Sequence, residues 1–266
     1  MRQIPLLAAV PAERVDRLRA GAPENYRWVT AGSWLNALHV IRTCPIELAV
    51  VDPLLGGAPR TLEIERLRQH FPSLPLVVYT VLAPETAGVL LDLGRAGIRR
   101  VILHRFEDAP GALRETITRE LEESASQRMI GEFAAALPEL PESLRRALGA
   151  MLHATGDNPT VAALAEQAQL TRRTCERLFA RRGLPSPKTV VLLARVLYAH
   201  RLLLDPGYTV EDVAAKLGYA RVRTLQMHFR DVFGLTASEV RISLSSGDAL
   251  RLVVQRFLQA PRRVAS

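Results

Sequence analysis

Only two cysteines, Cys44 and Cys175, occur in the 266 residues. They are too few for a disulfide framework and too far apart for a metal knuckle, so both read as buried, reduced thiols, Cys175 on the inner face of its helix. No apolar run reaches the roughly 20 residues of a membrane span. The N-terminus MRQIPLLAAV lacks the long apolar core and small-residue cleavage site of a secretory signal, which predicts a soluble, cytoplasmic chain with no membrane partner. The histidines, His39, His70, His104, His153, His200 and His228, are scattered; neither HExxH nor a Cys/His cluster occurs, and no metal site is expected. Gly56 and Gly57 lack the lysine and threonine that complete a phosphate-cradling loop. With no nucleophile and base brought together by any motif, the expectation is a non-enzyme that uses no cofactor.

What is present is an uneven charge. Residues 1–126 carry 15 Arg against 15 acids, whereas residues 127–266 carry 20 Arg and Lys against 12 acids, so the whole net charge of +8 lies in the second part. A polyanion is the natural partner for that part, and a small-molecule, phosphoryl or protein signal for the first. Arginine-rich composition alone would not concentrate the excess in one region.

The basic part is organised around Thr209 to Gly234, TVEDVAAKLGYARVRTLQMHFRDVFG. Val210, Val213, Ala214 and Leu217 make a helical stripe, Gly218 breaks it, and a second stripe follows with Leu225, Phe229 and Phe233. Two helices so closely joined must cross steeply, as in a helix-turn-helix. The same design occurs at Thr160 to Gly183: Val161, Leu164, Ala165 and Ala168 form the first stripe, Thr171 is the N-cap, and Leu178 with Phe179 anchors the second helix. Arg172, Arg173, Glu176, Arg177, Arg181 and Arg182 are left outward. An apolar helix, Lys188 to Leu204, joins the two units into an internal repeat.

Residues Pro159 to Arg241 resemble the DNA-binding domain of AraC/XylS-type transcription regulators, the second unit more closely. Ala214, Leu217, Gly218, Tyr219, Phe229, Phe233, Gly234, Thr236 and Arg241 stand where that family's pattern expects them. Gln169 replaces the usual glycine of the first turn, and Ala237 the proline that follows Thr236. A non-glycine can take up a left-handed turn at modest cost, and alanine can start a helix. The resemblance implies double-stranded DNA as partner, with the two second helices entering successive major grooves.

Position and chemistry select the contacts. Arg172, Arg173, Glu176 and Arg177 in the first unit, and Arg221, Arg223, Gln226 and Met227 in the second, are the candidates for base edges. They lie in the opening turns; arginine pairs bidentately with guanine, and glutamate accepts from cytosine. Thr171, Arg182, Lys188 and Arg230 are candidates for phosphates, which set register. Arg262 and Arg263 in the tail would add nonspecific contact.

The first part alternates candidate strands, Ile4–Val10, Tyr26–Thr30, Leu48–Asp52, Leu76–Thr80 and Arg100–Leu103, with helices near Ala12–Ala20, Ser33–Thr43, Thr61–His70, Pro84–Arg95 and Ala109–Glu123. Runs such as LAVVD, apolar on both faces, suit a covered parallel sheet. The expected fold is a flavodoxin-like (βα)5 domain followed by an all-helical double helix-turn-helix domain. The boundaries are 1–123 for the first domain, 124–141 for a helical linker, 142–242 for the second domain and 243–266 for a C-terminal helix and tail.

Asp52 ending the third strand, Thr80 ending the fourth, and LGRAGIRRVILHRFED through the fifth resemble the receiver domains of response regulators. The family's acidic, magnesium-holding pair is replaced by Ala8, Ala9 and Val10, and its lysine by His104 beside Arg105. Aspartyl phosphorylation needs a divalent cation, and the alternative role for Asp52 is to cap the turn through Pro53 and the glycines. The expectation is a receiver-like domain that has lost metal-dependent phosphorylation. It would sense a ligand or protein at the strand ends around Asp52, Thr80 and His104, or dimerise as the resemblance implies. Two alternatives stand beside it: a phosphorylated response regulator using Asp52, and a protein-interaction scaffold without specific DNA binding.

Between the domains, Glu120 to Ala136 has helical propensity and meets prolines at 138 and 141, a hinge that transmits a change or a passive spacer. Glu142 to Ala154, with Leu144, Leu148, Met151 and Leu152, is expected to pack on the first unit, and Gly247 to Gln259 to form one more helix, with Leu250, Val253, Val254, Phe257 and Leu258 on its apolar side.

Overall fold

In a computed structural model of the chain, the described residues are 3–22, 26–137, 140–153 and 160–259. They fall into two compact bodies, Met1–Ala125 with Asp205–Tyr208, and Ser126–Leu204 with Thr209–Ser266.

The α/β body alternates β1 (Ile4–Ala9), α1 (Ala12–Gly21), β2 (Tyr26–Thr30), α2 (Trp34–Thr43), β3 (Leu48–Val51), α3 (Thr61–His70), β4 (Leu76–Thr80), α4 (Pro84–Arg95), β5 (Val101–Leu103) and α5 (Pro110–Glu122). All five strands pair in parallel in the order β2-β1-β3-β4-β5, the flavodoxin-like doubly wound order. β3 is fully buried along its length, as a strand covered on both faces must be. Because side chains alternate, Leu6, Ala8, Leu48, Val50, Val77 and Tyr79 share one core cluster with Leu18 of α1 and Leu113 and Ile117 of α5. Burying each such leucine or valine contributes about 1.5–3 kcal/mol relative to leaving it in water. The consequence for function is that the carboxyl ends of β3, β4 and β5 bring Asp52, Thr80 and His104 to one edge of the sheet.

The stretch from Glu120 to Ala136 is two helices. α5 stops at Glu122, Ser124 N–H closes a turn onto the Leu121 carbonyl at 3.0 Å, and α6 runs from Ala125 to Ala135. Leu113, Ile117 and Leu121 are buried along α5, and α6 buries Met129, Ile130 and Phe133.

The helical body continues with α7 (Glu142–His153), α8 (Val161–Gln167), α9 (Arg172–Arg181), α10 (Pro187–Leu203), α11 (Val210–Lys216), α12 (Val222–Phe233), α13 (Ala237–Ser243) and α14 (Ser246–Val253). α7 packs on α8 and α10, as its stripe predicted, with Leu144 and Leu148 buried. α10 is buried over most of its length and touches α7, α8, α9, α11, α12, α13 and α14. The expected terminal helix is present: α14 runs without a break into a π-type turn, Val254–Leu258. Only Val253 of its predicted apolar set is buried, together with Ala249; Leu250, Val254, Phe257 and Leu258 are half-buried.

Cys175 is buried but Cys44 is only half-buried, at the C-cap of α2; neither forms a disulfide. The side chains of Met151 and Leu152, Pro138, and the tail with Arg262 and Arg263 lie outside the described residues.

Candidate nucleic-acid interface

The first helix pair, α8 and α9, is joined by Ala168–Thr171. Thr160 caps α8 by accepting from Ala163 N–H, and Thr171 caps α9 by accepting from Thr174 N–H at 3.1 Å. Between them Gln169 takes a left-handed conformation, φ 57°, the strained turn at the family's glycine position. Cys175 and Phe179 bury one side of α9. Arg172, Arg173, Glu176, Arg177 and Arg181 are exposed on the other, whereas Arg182, the C-cap, is half-buried rather than outward. The Cys175 thiol is pushed up to about 11 by burial, with the Glu176 charge adding to it; it is inert packing.

The second pair repeats the first in register. Leu217 and Gly218 (φ 68°) follow α11 as Ala168 and Gln169 follow α8. Leu225 and Phe229 of α12 take the buried places of Cys175 and Phe179. Counting from each N-cap, Arg223 corresponds to Arg173, Gln226 to Glu176 and Met227 to Arg177. Arg221, Arg223, Gln226, Met227 and Arg230 are all exposed. The structure thus leaves all eight base-contact candidates exposed, Arg172 and Glu176 paired only with each other along α9; Arg221 is also the N-cap of α12, without a side-chain capping bond.

Two of the candidates are already engaged with each other. Arg172 Nε donates to Glu176 Oε1 at 2.9 Å, one turn apart on α9. An exposed pair of this kind is worth about 0.3–0.5 kcal/mol and opens readily to a better partner. Arg173, Arg177, Arg221 and Arg223 have no ion pair among the described residues. Arg230 lies near Glu239, whose carboxyl is lowered chiefly by hydrogen bonds from the Thr236 amide and hydroxyl, with a smaller contribution from the Arg230 charge.

First-turn charge sets α9, α10 and α12 apart from α11, α13 and α14. α11, α13 and α14 carry acids in their first turn, and α11 and α13 close full capping boxes, Thr209 with Asp212 and Thr236 with Glu239. α9, α10 and α12 carry no first-turn acid. They place Arg172 and Arg173, Lys188, and Arg223 there instead. Cations at the positive end of a helix dipole lose about 0.3–1 kcal/mol each. That cost is removed when an anion sits in front of the helix.

Behind this surface lie buried polar groups that sequence periodicity did not single out. Arg195, on α10, places its guanidinium 3.8 Å from the Tyr219 ring centre and donates through Nη2 to the Leu217 carbonyl at 2.5 Å. It thereby pins the turn between α11 and α12 to α10. The Tyr219 hydroxyl lies 3.2 Å from His228 Nδ1. His200 Nε2 donates to the Leu244 carbonyl at 3.1 Å, and burial pulls its pKa down to about 4.

The folded chain keeps this ring neutral while the unfolded chain protonates it below its ordinary 6.5. Stability is therefore full above 6.5, falls with pH from there, and has lost its whole His200 contribution near 4. The loss is about 3 kcal/mol at 1.4 kcal/mol per pH unit. A His200→Gln chain, compared with the parent by urea denaturation at pH 4–7, should lack that slope; parallel curves would remove His200 as its source.

At the sheet edge of the α/β body, Asp52 is 1 % exposed and spoken for. It pairs with Arg14 Nη2 at 2.8 Å, and its Oδ1 accepts from the Thr80 hydroxyl and the Leu54 amide, each at 3.0 Å. The Leu54 bond is the turn-capping role anticipated for it. Arg14 also donates to the Tyr79 carbonyl at 2.9 Å.

His104 stands apart from this trio. Its Nδ1 donates to Asp108 Oδ2 at 2.7 Å, and the Tyr79 hydroxyl donates to the same oxygen at 2.6 Å. Burial pushes Asp108 up, but bonds from Tyr79, the Arg105 amide and His104, with Arg17, outweigh it and hold the carboxyl below its ordinary value. Burial, then Asp108, raises the Tyr79 phenol. Arg14 and Asp108 were not foreseen. The available signal for Arg14 was its place one turn before buried Leu18 on α1. Among the described residues no three His, Cys, Asp or Glu side chains converge as a metal cage, and no helix is long and apolar enough to cross a membrane.

A family model described as a helix-turn-helix domain matches residues 164–243. The match covers α9 to α13 and most of α8. It supports the AraC-type resemblance of this region and its DNA-binding character. No curated protein matches the chain.

Proposed function

We propose that this chain is a sequence-specific, AraC-type DNA-binding transcription regulator whose helices α9 and α12 read successive major grooves, about one helical turn apart on one face of the duplex. The observation that carries the reading is the division of first-turn charge. The three helices α9, α10 and α12 forgo the capping acids used by α11, α13 and α14, and put cations at their positive ends. Such ends fit the phosphates of a duplex.

In this reading Arg173, Arg177, Arg221 and Arg223 address guanine edges, Gln226 adenine, and Met227 a thymine methyl. Glu176 accepts from cytosine when Arg172 releases it. Thr171, Arg182, Lys188 and Arg230 hold phosphates and fix register.

The test is a fluorescence-anisotropy titration of the full chain with fragments selected from genomic DNA by pull-down, at several salt concentrations. Selective binding whose affinity falls steeply with salt is expected. Weak binding with the same salt slope on every fragment would favour the scaffold alternative.

The α/β body serves, in the same proposal, as an atypical receiver-like control domain that is not phosphorylated. Phosphoryl transfer to Asp52 would need a divalent cation to neutralise the developing charge. The end of β1 offers Ala8 and Ala9, which have no side-chain oxygen, and Arg14 already supplies the positive charge against Asp52. Incubation with an acyl phosphate and magnesium should leave the chain unlabelled. Labelling that disappears in Asp52→Asn would instead make it a phosphorylated response regulator.

A further inference from the structure

A cleft of about 860 Å³ opens in the helical body between the two helix pairs. Val161, Val191 and Leu192 give it an apolar wall; Arg172, Lys188 and Thr189 stand around it. Arg195 and His228 also border it, and among the described lining residues there is no carboxylate. Arg195 is 7 % exposed, so its charge acts from within the protein. His228 lies half-buried; burial first, then the Arg195 charge, lowers its pKa. The Glu176 carboxylate that pairs with Arg172 lies outside the lining, and Lys188 is exposed with no ion pair among the described residues.

The volume and the apolar wall with a few polar groups are those of a small-molecule site. A sugar–phosphate backbone gains nothing from a wall of valine and leucine. A compact organic anion gains from both parts: its apolar body covers Val161, Val191 and Leu192, and its charge meets Lys188 and Arg172.

We infer that this cleft binds a small organic carboxylate with an apolar body, and that the ligand competes with DNA. The competition rests on the DNA-binding reading above, because Arg172 and Lys188 are among the proposed DNA contacts; the binding itself does not.

Benzoate and hexanoate are the probes, added to the full chain and followed by ligand-observed NMR, with inorganic phosphate and chloride as controls. Saturable binding with a Kd on the order of a millimolar is expected for probes this small, and phosphate should bind at least about tenfold more weakly. Lys188→Glu, at an exposed position, should weaken benzoate by about tenfold or more. Ala162→Phe, on the exposed rim, should block it while leaving every cation in place. No saturable binding, equal binding of phosphate, or benzoate binding indifferent to both substitutions would overturn the site. Selective DNA binding that saturating benzoate does not weaken would overturn the competition. Benzoate bound as expected by a chain that binds no DNA selectively would sink the DNA-binding reading and leave the site standing.

Discussion

Replacing Arg173 and Arg223 together by alanine should cost about 2–6 kcal/mol of binding to a selected operator, from about 30-fold to on the order of 10⁴-fold, at about 1–3 kcal/mol for each base contact. The two residues occupy the same place in the two helix pairs, second from the N-cap of α9 and of α12. Each is exposed, so alanine removes a guanidinium without opening a cavity, and unfolding curves should match the parent. What distinguishes base reading from charge attraction is the fate of unrelated DNA. Loss of a base contact weakens the selected site far more than a scrambled one. Lys188→Gln should do the opposite, weakening both alike and reducing the salt slope by about 0.9. Anisotropy titrations on both DNAs at three salt concentrations separate the outcomes. Equal losses on both would reassign Arg173 and Arg223 to phosphates.

Arg14→Met is expected to destabilise the α/β body by about 3–5 kcal/mol, because it strands the buried Asp52 carboxylate without its ion partner. Asp52→Leu should cost a similar amount by stranding Arg14, and also forfeits the bonds from Thr80 and the Leu54 amide. With both replaced, no charge is left buried and the loss should be much smaller than the sum. Denaturation of the four proteins closes a double-mutant cycle whose coupling energy reports the pair directly. Additive single effects would show that Arg14 is held by its Tyr79 carbonyl bond and not by Asp52. Out of the 5–15 kcal/mol by which domains are ordinarily stable, a loss of this size would make the body prone to unfold near physiological temperature.

Much of this arrangement could be read from the chain because it is local. Runs apolar on both faces, LAVVD above all, declare a covered strand whatever the tertiary context. The turn glycine Gly218, the caps Thr160, Thr171, Thr209 and Thr236, and the repeat of Cys175–Phe179 as Leu225–Phe229 place both helix pairs within a residue or two.

What stayed hidden depends on pairs distant in sequence. AERVDRLRA holds three arginines on one helix, and nothing local says that Arg14, rather than Arg17 or Arg19, turns under the strand ends to meet a residue 38 positions later. Arg195 and His200 were lost in the apolar run of α10 for the same reason: their partners, Leu217 and Leu244, come from later turns. The Arg172–Glu176 pair was different. Its spacing of four is visible in the sequence, but both residue types also suit DNA bases, and spacing alone does not say which partner holds them. Helix α6 was hidden by continuity, since helical propensity does not register the turn at Glu123 and Ser124 that ends α5.

The buried helix α10 makes the helical body a measuring rod. Its 17 residues extend about 25 Å, and a hydrogen-bonded helix of that length, buried along most of its faces, cannot stretch to suit a different target. Arg195 fastens the second turn to its side. Adding one base pair between two half-sites rotates them by about 35° around the duplex axis, and a rigid rod cannot follow. With α9 and α12 reading successive grooves as proposed, targets should therefore drift freely in the letters between the two grooves and hardly at all in their number. In a collection of bound sequences, spacer length would be the invariant.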